Sequence, residues 1–193
     1  MNCPEALFTG TLLNLGRVTG CRAIAVVAAS SQEPLSRVYA GVAGEALTLE
    51  AVSMGLGACW ISGTYRKKLL NAPLAEHEAA LAVIALGIPE SPPALPVQRK
   101  RKSLEKLCKG DLTLWPEELL TVAQAVREAP SAMNLQPWEL SFTANSFVLD
   151  SSDRAALDLG IDLCHAEATL VSPHQWHFAQ SRHDPAAWAE VRS

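Results

Sequence analysis

A ten-residue segment from Ala129 to Trp138, APSAMNLQPW, combines two prolines with three short polar side chains. The prolines oppose helix formation and fix a loop. The polar side chains are those of Ser131, Asn134 and Gln136. Hydroxyl and amide groups can recognise an amide-like edge of a ligand, and the tryptophan adds a flat apolar surface. The same residues also suit a capped turn whose polar groups bond only to nearby backbone, so the sequence alone leaves both interpretations open.

A second segment, GLGACWISGTY from Gly55 to Tyr65, is rich in glycine and follows a helical pattern. Glycine lets the backbone approach a neighbour closely, and the N–H groups of the turn at Ser62 and Gly63 can donate to an acceptor. The competing interpretation is a helix end that carries glycine for ordinary packing reasons. Taken alone, the segment favours that second interpretation.

Four consecutive basic residues, Arg99 to Lys102, follow a proline-rich linker at Glu90 to Pro96. The guanidinium groups of Arg99 and Arg101 have the fork geometry that suits phosphate oxygens. Without another motif, the run is more typical of a solvated loop. The net charge of −4 and the lack of interleaved aromatic residues argue against a nucleic-acid site.

The patterns between these segments predict a mixture of strands and helices. Short apolar runs predict strands at Arg22 to Ala29, Ala80 to Gly87, Glu139 to Thr143 and Phe147 to Asp150. Helical spacing predicts helices at Val38 to Trp60, closing at Gly55 and Gly57, then at Pro116 to Glu128 and at Arg154 to Leu170. The first helix carries few charges, which predicts burial on most of its sides. Nothing is assigned beyond Val171. Strands and helices do not alternate regularly, so the expected class is α+β.

Length and composition restrict the kind of protein. A chain of 193 residues with 49% hydrophobic residues can form one domain, or two small halves that share a core. It has no apolar run long enough to span a membrane, and its first residues do not resemble a signal peptide. The five scattered cysteines predict free thiols in a reducing compartment, with no disulfide framework and no metal site. We therefore expect a cytoplasmic protein without a membrane or nucleic-acid partner.

Several of these segments together resemble one family. APSAMNLQPW resembles the A-P-S-x-x-N-x-Q-P-W segment of the nitroreductases, and GLGACWISG resembles their G-L-G-x-x-x-I-x-G loop. IALGIPE followed by RKRKSLEKL is similar to the glycine–proline strand end and basic phosphate-binding stretch of that family. The similarity runs from about Gly41 to Leu170. It implies a nitroreductase-like α+β fold with a mixed, antiparallel-rich sheet flanked by helices.

The order of the segments resembles one subfamily. Ordinary nitroreductases place the A-P-S loop before the G-L-G loop, whereas here Gly55 precedes Pro130. That order, and the segment DLGIDLCHAEATL from Asp158 to Leu170, resemble the subfamily in which two nitroreductase-like halves form an internal pseudo-dimer within one chain. We therefore expect one nitroreductase-like domain over residues 1–193, with halves at about 1–96 and 97–193. The R-x-S-x-R segment that opens other members has no match, so the first helices of the family are expected to be missing.

The resemblance implies an FMN-dependent oxidoreductase with NAD(P)H as co-substrate. Hydride would pass from NAD(P)H through the flavin to a small-molecule acceptor such as a nitroaromatic or a quinone, and no protein acid or base is required. A homodimer is compatible with this interpretation. The alternatives are a non-catalytic remnant of the fold, and a flavin-binding protein with weakened FMN affinity.

The resemblance also implies a set of cofactor-binding residues, which are Ser62, Gly63, Arg99, Arg101, Pro130, Ser131 and Asn134. The backbone of the first two would lie near flavin N5 and O4. The two arginines match the positions that hold the FMN phosphate. The last three match the loop that reaches the isoalloxazine ring from the other half, so that both loops would meet at one flavin.

Overall fold

The computed structural model describes residues 4–8, 18–30, 35–70, 72–90, 100–143, 146–151, 155–170, 176–180 and 185–190. The chain divides into two compact units, Met1–Arg99 and Lys100–Ser193. The predicted linker at Glu90 to Pro96 lies almost wholly outside the described residues. Each unit contains a β-sheet and at least one helix, which confirms the predicted α+β class.

The first unit contains a three-stranded antiparallel sheet. Its strands are β1 (Cys21–Ser30), β2 (Gly57–Ile61) and β3 (Glu78–Gly87), in the order β1-β3-β2. Helix α1 (Ser36–Ser53) packs on this sheet, and a short 3₁₀ helix at Pro4–Leu7 contacts β1. The predicted strands β1 and β3 are confirmed. Strand β3 is central because it pairs with both other strands, and its run of Ala82 to Ala85 is buried.

The prediction for the first helix is wrong in two respects. The helix ends at Ser53, because Gly55 adopts a φ of 78°, and the next residues form β2 instead of a helix end. The helix is also not buried on most sides, since Tyr39 and Leu47 are exposed on one of its faces and Val52 is exposed near its end. Its low charge reflects an apolar exposed face and not burial on every side.

Gly87, at the end of β3, lies where its own backbone closely approaches the backbone of Gly20 and Cys21. A Cβ atom there would collide with the Gly20 carbonyl oxygen and lie 3.3 Å from Cys21 Cα. Backbone cannot move aside as easily as a flexible side chain. We therefore expect Gly87→Ala to lower the free energy of unfolding by about 1–3 kcal/mol, measured by urea denaturation. Ala79→Ser, at the exposed end of the same strand, should change it by less than about 0.5 kcal/mol. Equal stability of both variants with the unsubstituted chain would contradict this close approach.

The second unit contains a five-stranded mixed sheet. Its strands, in spatial order, are β4 (Cys108–Lys109), β5 (Trp138–Thr143), β6 (Ser146–Ser151), β8 (Pro185–Glu190) and β7 (Trp176–Gln180). The pair β4–β5 is parallel and the other pairs are antiparallel. The helices are α2 (Leu104–Leu107), α3 (Glu117–Glu128) and α4 (Ala156–Glu167). The predicted elements at β5, β6, α3 and α4 are confirmed. Strands β7 and β8 lie beyond Val171, where no element was predicted.

The core of the second unit lies between this sheet and helices α3 and α4. Alternate residues of β5 and β6 are buried, among them Leu140, Phe147 and Leu149. Leu119 and Leu159 bring apolar side chains from the two helices. This packing holds α3, α4 and the start of β5 in place, and the loop from Ala129 to Trp138 runs between α3 and β5. No helix in the described part of the chain is long and apolar enough to cross a membrane.

Candidate functional site

The turn after β2 is fixed on both sides by buried side chains. Ile61 and Tyr65 belong to the core of the first unit and are 7% and 5% exposed. The N–H of Arg66 donates to the Leu7 carbonyl at 2.9 Å. Burial raises the pKa of the Tyr65 hydroxyl, because the phenolate would lose its hydration. The intervening residues are therefore held at a defined place without being covered.

Ser62 and Gly63 form the exposed part of this turn. Gly63 has a φ of 78°, a conformation that glycine adopts at little cost, and a Cβ atom there would have no neighbour within 4 Å. Within the described part of the chain, neither backbone N–H donates to a carbonyl oxygen or to a side chain. The turn therefore has two backbone donors in exposed residues on a fixed backbone, which suits an acceptor atom of a ligand.

A contact between α1 and β2 fixes the strand that leads into this turn. The Trp60 Nε1–H donates to Glu45 Oε2 at 2.7 Å, and Glu45 is only 2% exposed. The Trp60 ring lies directly over Gly44, where any larger residue would collide with it. The sequence pattern does not predict this pair, because glutamate at a helical position is usually solvent-exposed.

The loop of the second unit begins at Pro130 and is compact. The Ser131 hydroxyl oxygen accepts from the Gln136 N–H at 2.9 Å, which closes the loop, and a single 3₁₀ turn spans Ala132–Asn134. Met133, Asn134 and Gln136 have positive φ angles of 51°, 56° and 46°. Non-glycine residues rarely adopt this conformation, so the loop needs contacts that hold it there.

Two of the predicted cofactor-binding residues, Arg101 and Asn134, bond to each other. Arg101 Nη1 donates to Asn134 Oδ1 at 2.6 Å, and Nη2 donates to the Glu128 carbonyl at 2.6 Å. Asn134 Nδ2 donates to the Lys100 carbonyl at 2.8 Å. The Arg101 side chain is 2% exposed. The structure therefore commits both side chains to internal contacts.

Gln136 ties the same loop to the basic run and to the end of α3. Its Oε1 accepts from the Lys102 N–H at 2.7 Å, and its Nε2 donates to the Arg127 carbonyl at 3.2 Å. Its carbonyl accepts from Lys102 Nζ at 2.8 Å, and the side chain is buried. The polar residues of the motif thus bond within this unit, as expected of a capped turn. They differ from that expectation because they bond to distant backbone as well as to nearby backbone.

A carboxylate of α4 that the sequence patterns do not single out forms a hydrogen bond with the loop. Asp158 of α4 is 9% exposed, and its Oδ1 accepts from the Ala132 N–H at 3.2 Å. Burial raises the pKa of Asp158, and the hydrogen bond from Ala132 lowers it by a smaller amount. The available signal was an aspartate at a helical position between apolar neighbours, in the segment DLGID.

The raised pKa of Asp158 predicts a pH-dependent contribution to stability. The folded state binds this proton more tightly than the unfolded chain, so the contribution is present below the ordinary value of 3.8 and is lost as pH rises through the raised pKa. Asp158→Asn keeps an acceptor for Ala132 but cannot titrate. We expect its free energy of unfolding to rise relative to the unsubstituted chain between about pH 3 and pH 7, measured by urea denaturation.

Asp111 provides the contrast for that measurement. Hydrogen bonds from the side chain and backbone of Thr113 lower the pKa of this exposed carboxyl. Asp111→Asn should therefore fall in stability, relative to the unsubstituted chain, as pH rises over the same range. Trends of the same sign for the Asp158 and Asp111 variants would contradict the assignment at Asp158.

The described candidates thus divide between the two units. Ser62 and Gly63 belong to the first unit, whereas Arg101, Pro130, Ser131 and Asn134 belong to the second. Arg99 lies outside the described residues. Among the residues that the structure describes, no group of three or more histidine, cysteine, aspartate or glutamate residues could hold a metal ion.

A comparison with protein families gives the affiliation of the chain. A family described as "Putative TM nitroreductase" matches residues 7–170, which is most of the sequence. The chain belongs to this nitroreductase family. A crystal structure titled as a "putative nitroreductase" from Thermotoga maritima has a similar fold, with a TM-score of 0.64 and 22% sequence identity over 84% of this chain and 68% of that one. The predicted nitroreductase-like fold is confirmed, and at this identity the likeness concerns the fold alone. No curated protein matches the chain.

Flavin is the cofactor that nitroreductases imply, and the described residues fit it unevenly. The Ser62–Gly63 turn fits, because both residues are exposed and a Cβ atom at Gly63 would have no neighbour within 4 Å. The Ser131 hydroxyl oxygen accepts one hydrogen bond, which leaves its proton for another acceptor. The guanidinium of Arg101 and the amide of Asn134 fit poorly as direct ligands, since they already bond to each other.

Proposed function

We propose that this nitroreductase is an FMN-dependent oxidoreductase that transfers hydride from NAD(P)H to a nitroaromatic, a quinone or a similar small-molecule acceptor. The observation that carries the proposal is the turn at Ser62 and Gly63. Both residues are exposed, neither backbone N–H donates within the described part of the chain, and the turn is anchored by Ile61 and Tyr65. Family membership supports the choice of flavin as the ligand that these groups bind.

The protein's part in such a reaction is to orient the ring and to set its electrostatic environment. When bound, FMN supplies the chemistry of accepting and donating hydride. The N–H groups of Ser62 and Gly63 would hold an acceptor edge of the ring by hydrogen bonds, and their dipoles favour negative charge at the atoms that they contact. Because these donors are backbone groups, the side chain at position 62 is not required to take part. Pro130 and Ser131 are proposed as further contacts, through an apolar ring face and a hydroxyl proton.

The first experiment is a titration of the purified full chain with FMN, followed by ultraviolet–visible absorbance and flavin fluorescence. We expect one FMN per chain, and then oxidation of NADH or NADPH when a p-benzoquinone or a nitrobenzene is added. A chain that takes up no FMN would overturn the proposal in favour of a non-catalytic remnant. Bound FMN without consumption of either nicotinamide cofactor would overturn the enzymatic part and favour a flavin-binding protein.

A further inference from the structure

Arg101 lies at the centre of a set of contacts that we call the Arg101 clasp, formed by Arg101, Asn134, Glu128 and Lys100. The guanidinium donates to the Asn134 side chain and to the Glu128 carbonyl, and its Nε lies 3.7 Å from Glu128 Oε2. The Asn134 amide then donates to the Lys100 carbonyl. The clasp therefore joins the basic run to the end of α3 and to the loop directly after it, which lie 27 and 33 positions away in the sequence.

The tip of the loop that the clasp holds is strained at Met133 and Asn134, and burial does not explain the conformation of these two residues. Met133 and Asn134 have φ angles of 51° and 56°, yet the Met133 side chain is 83% exposed and Asn134 is exposed as well. Leu135, the next residue, is 60% exposed. When no side chain at the tip of a loop is buried, other contacts must stabilise an unfavourable backbone conformation there. Hydrogen bonds from residues outside the loop can do so. At this tip, Arg101 supplies one such bond.

We infer that Arg101 and Asn134 are positioning residues, which hold the loop at 131–136 in its left-handed conformation and do not themselves bind the FMN phosphate or ring. A phosphate that recruited Arg101 would have to draw a 2%-exposed side chain away from the Asn134 and Glu128 oxygens. Those oxygens would then lose charge-assisted hydrogen bonds, which are stronger than neutral ones. The inference rests on the proposed function only for its flavin measurements.

The affinities for FMN and riboflavin distinguish positioning from phosphate binding, because only FMN carries a phosphate. In Arg101→Ala we expect both affinities to fall by the same factor, about tenfold, so that their ratio stays within about twofold of the unsubstituted value. Lys106→Ala removes the same charge from an exposed site in this unit and should change neither affinity. A large loss for FMN with unchanged riboflavin binding would overturn the inference.

A double-substitution cycle tests whether Arg101 and Asn134 act as a unit. If both act through the same loop conformation, Arg101→Ala combined with Asn134→Ala should weaken FMN binding no more than the worse single substitution does. If each bound a different part of FMN, the two losses would multiply, and multiplied losses would overturn the inference.

Amide hydrogen exchange in the flavin-free chain tests the clasp without any ligand. The N–H groups of Asn134 and Leu135 donate to the carbonyls of Ser131 and Ala132, so their exchange reports the closed loop. We expect exchange at these two amides to rise about tenfold or more in Arg101→Ala and to stay unchanged in Lys106→Ala. Unchanged exchange in Arg101→Ala would overturn the clasp, whereas failure of the unsubstituted chain to bind FMN would overturn only the proposed function.

Should Arg101→Ala fail to fold, Asn134→Ala takes its place in the exchange measurement. It removes the acceptor for Arg101 Nη1 and the donor to the Lys100 carbonyl at an exposed position. Exchange at Leu135 should again rise about tenfold. Protection equal to that of the unsubstituted chain would overturn the inference.

Discussion

Replacing Gly63 with valine should weaken FMN binding by about a hundredfold, while the same replacement at Gly55 should leave it within about threefold. Both glycines have a φ of 78°, and a Cβ atom at either position would have no neighbour within 4 Å. The backbone strain that valine introduces is therefore similar at the two sites. Only Gly63 belongs to the turn whose N–H groups are proposed to hold the flavin, and a branched side chain there would shield those groups.

The measurement is a fluorescence titration with FMN on both variants, together with thermal unfolding in the absence of flavin. Similar unfolding temperatures would establish that the two substitutions strain the chain equally, so that a difference in affinity belongs to the ligand contact. Equal losses of affinity would assign the effect to strain. Full affinity in both variants would remove the turn at Gly63 from the proposed site.

Much of the fold could be predicted from the sequence where a pattern was long or clearly bounded. The central strand β3 was predictable because its eight apolar residues end at Gly87. Helix α3 was predictable because Pro116 precedes an amphipathic run. Strand β2 was not, since its five residues begin at the second of two glycines, and such a segment looks alike whether it ends a helix or forms a strand. The strands β7 and β8 form because β8 pairs with β6 and β7 pairs with β8, and such pairing is not a local property of the sequence.

The candidate site, like the fold, could be predicted from the sequence only in part. The exposure of Ser62 and Gly63 followed from local turn chemistry, which a sequence displays directly. The bond between Arg101 and Asn134 joins residues 33 positions apart, and the resemblance to nitroreductases had assigned both to the cofactor. The left-handed conformation of Met133 was also beyond prediction, because methionine has no local preference for it. We infer that this conformation depends on long-range hydrogen bonds to the loop, such as the one from Arg101 to Asn134, which a local pattern does not display.

Gln136→Ala should lower the free energy of unfolding by about 2–5 kcal/mol, the largest stability effect that we expect from a polar substitution in this unit. The side chain is 1% exposed and satisfies two backbone groups, the Lys102 N–H and the Arg127 carbonyl. Alanine leaves both groups without their partner in a partly buried place, where water replaces a hydrogen bond poorly. Gln124→Ala, which removes the same side chain from the exposed face of α3, should change stability by less than about 0.5 kcal/mol.

Glycine at position 136 separates the lost hydrogen bonds from the backbone strain. Both substitutions remove the same amide, but glycine adopts the φ of 46° at little cost, whereas alanine does not. Gln136→Gly should therefore be more stable than Gln136→Ala by about 1 kcal/mol, the reverse of the usual order of these two residues. Urea denaturation of the three variants at neutral pH measures all the differences. A glycine variant less stable than the alanine variant would mean that the residue at 136 is not held in the left-handed conformation, and the account of the loop as a strained element fixed from outside would fail with it.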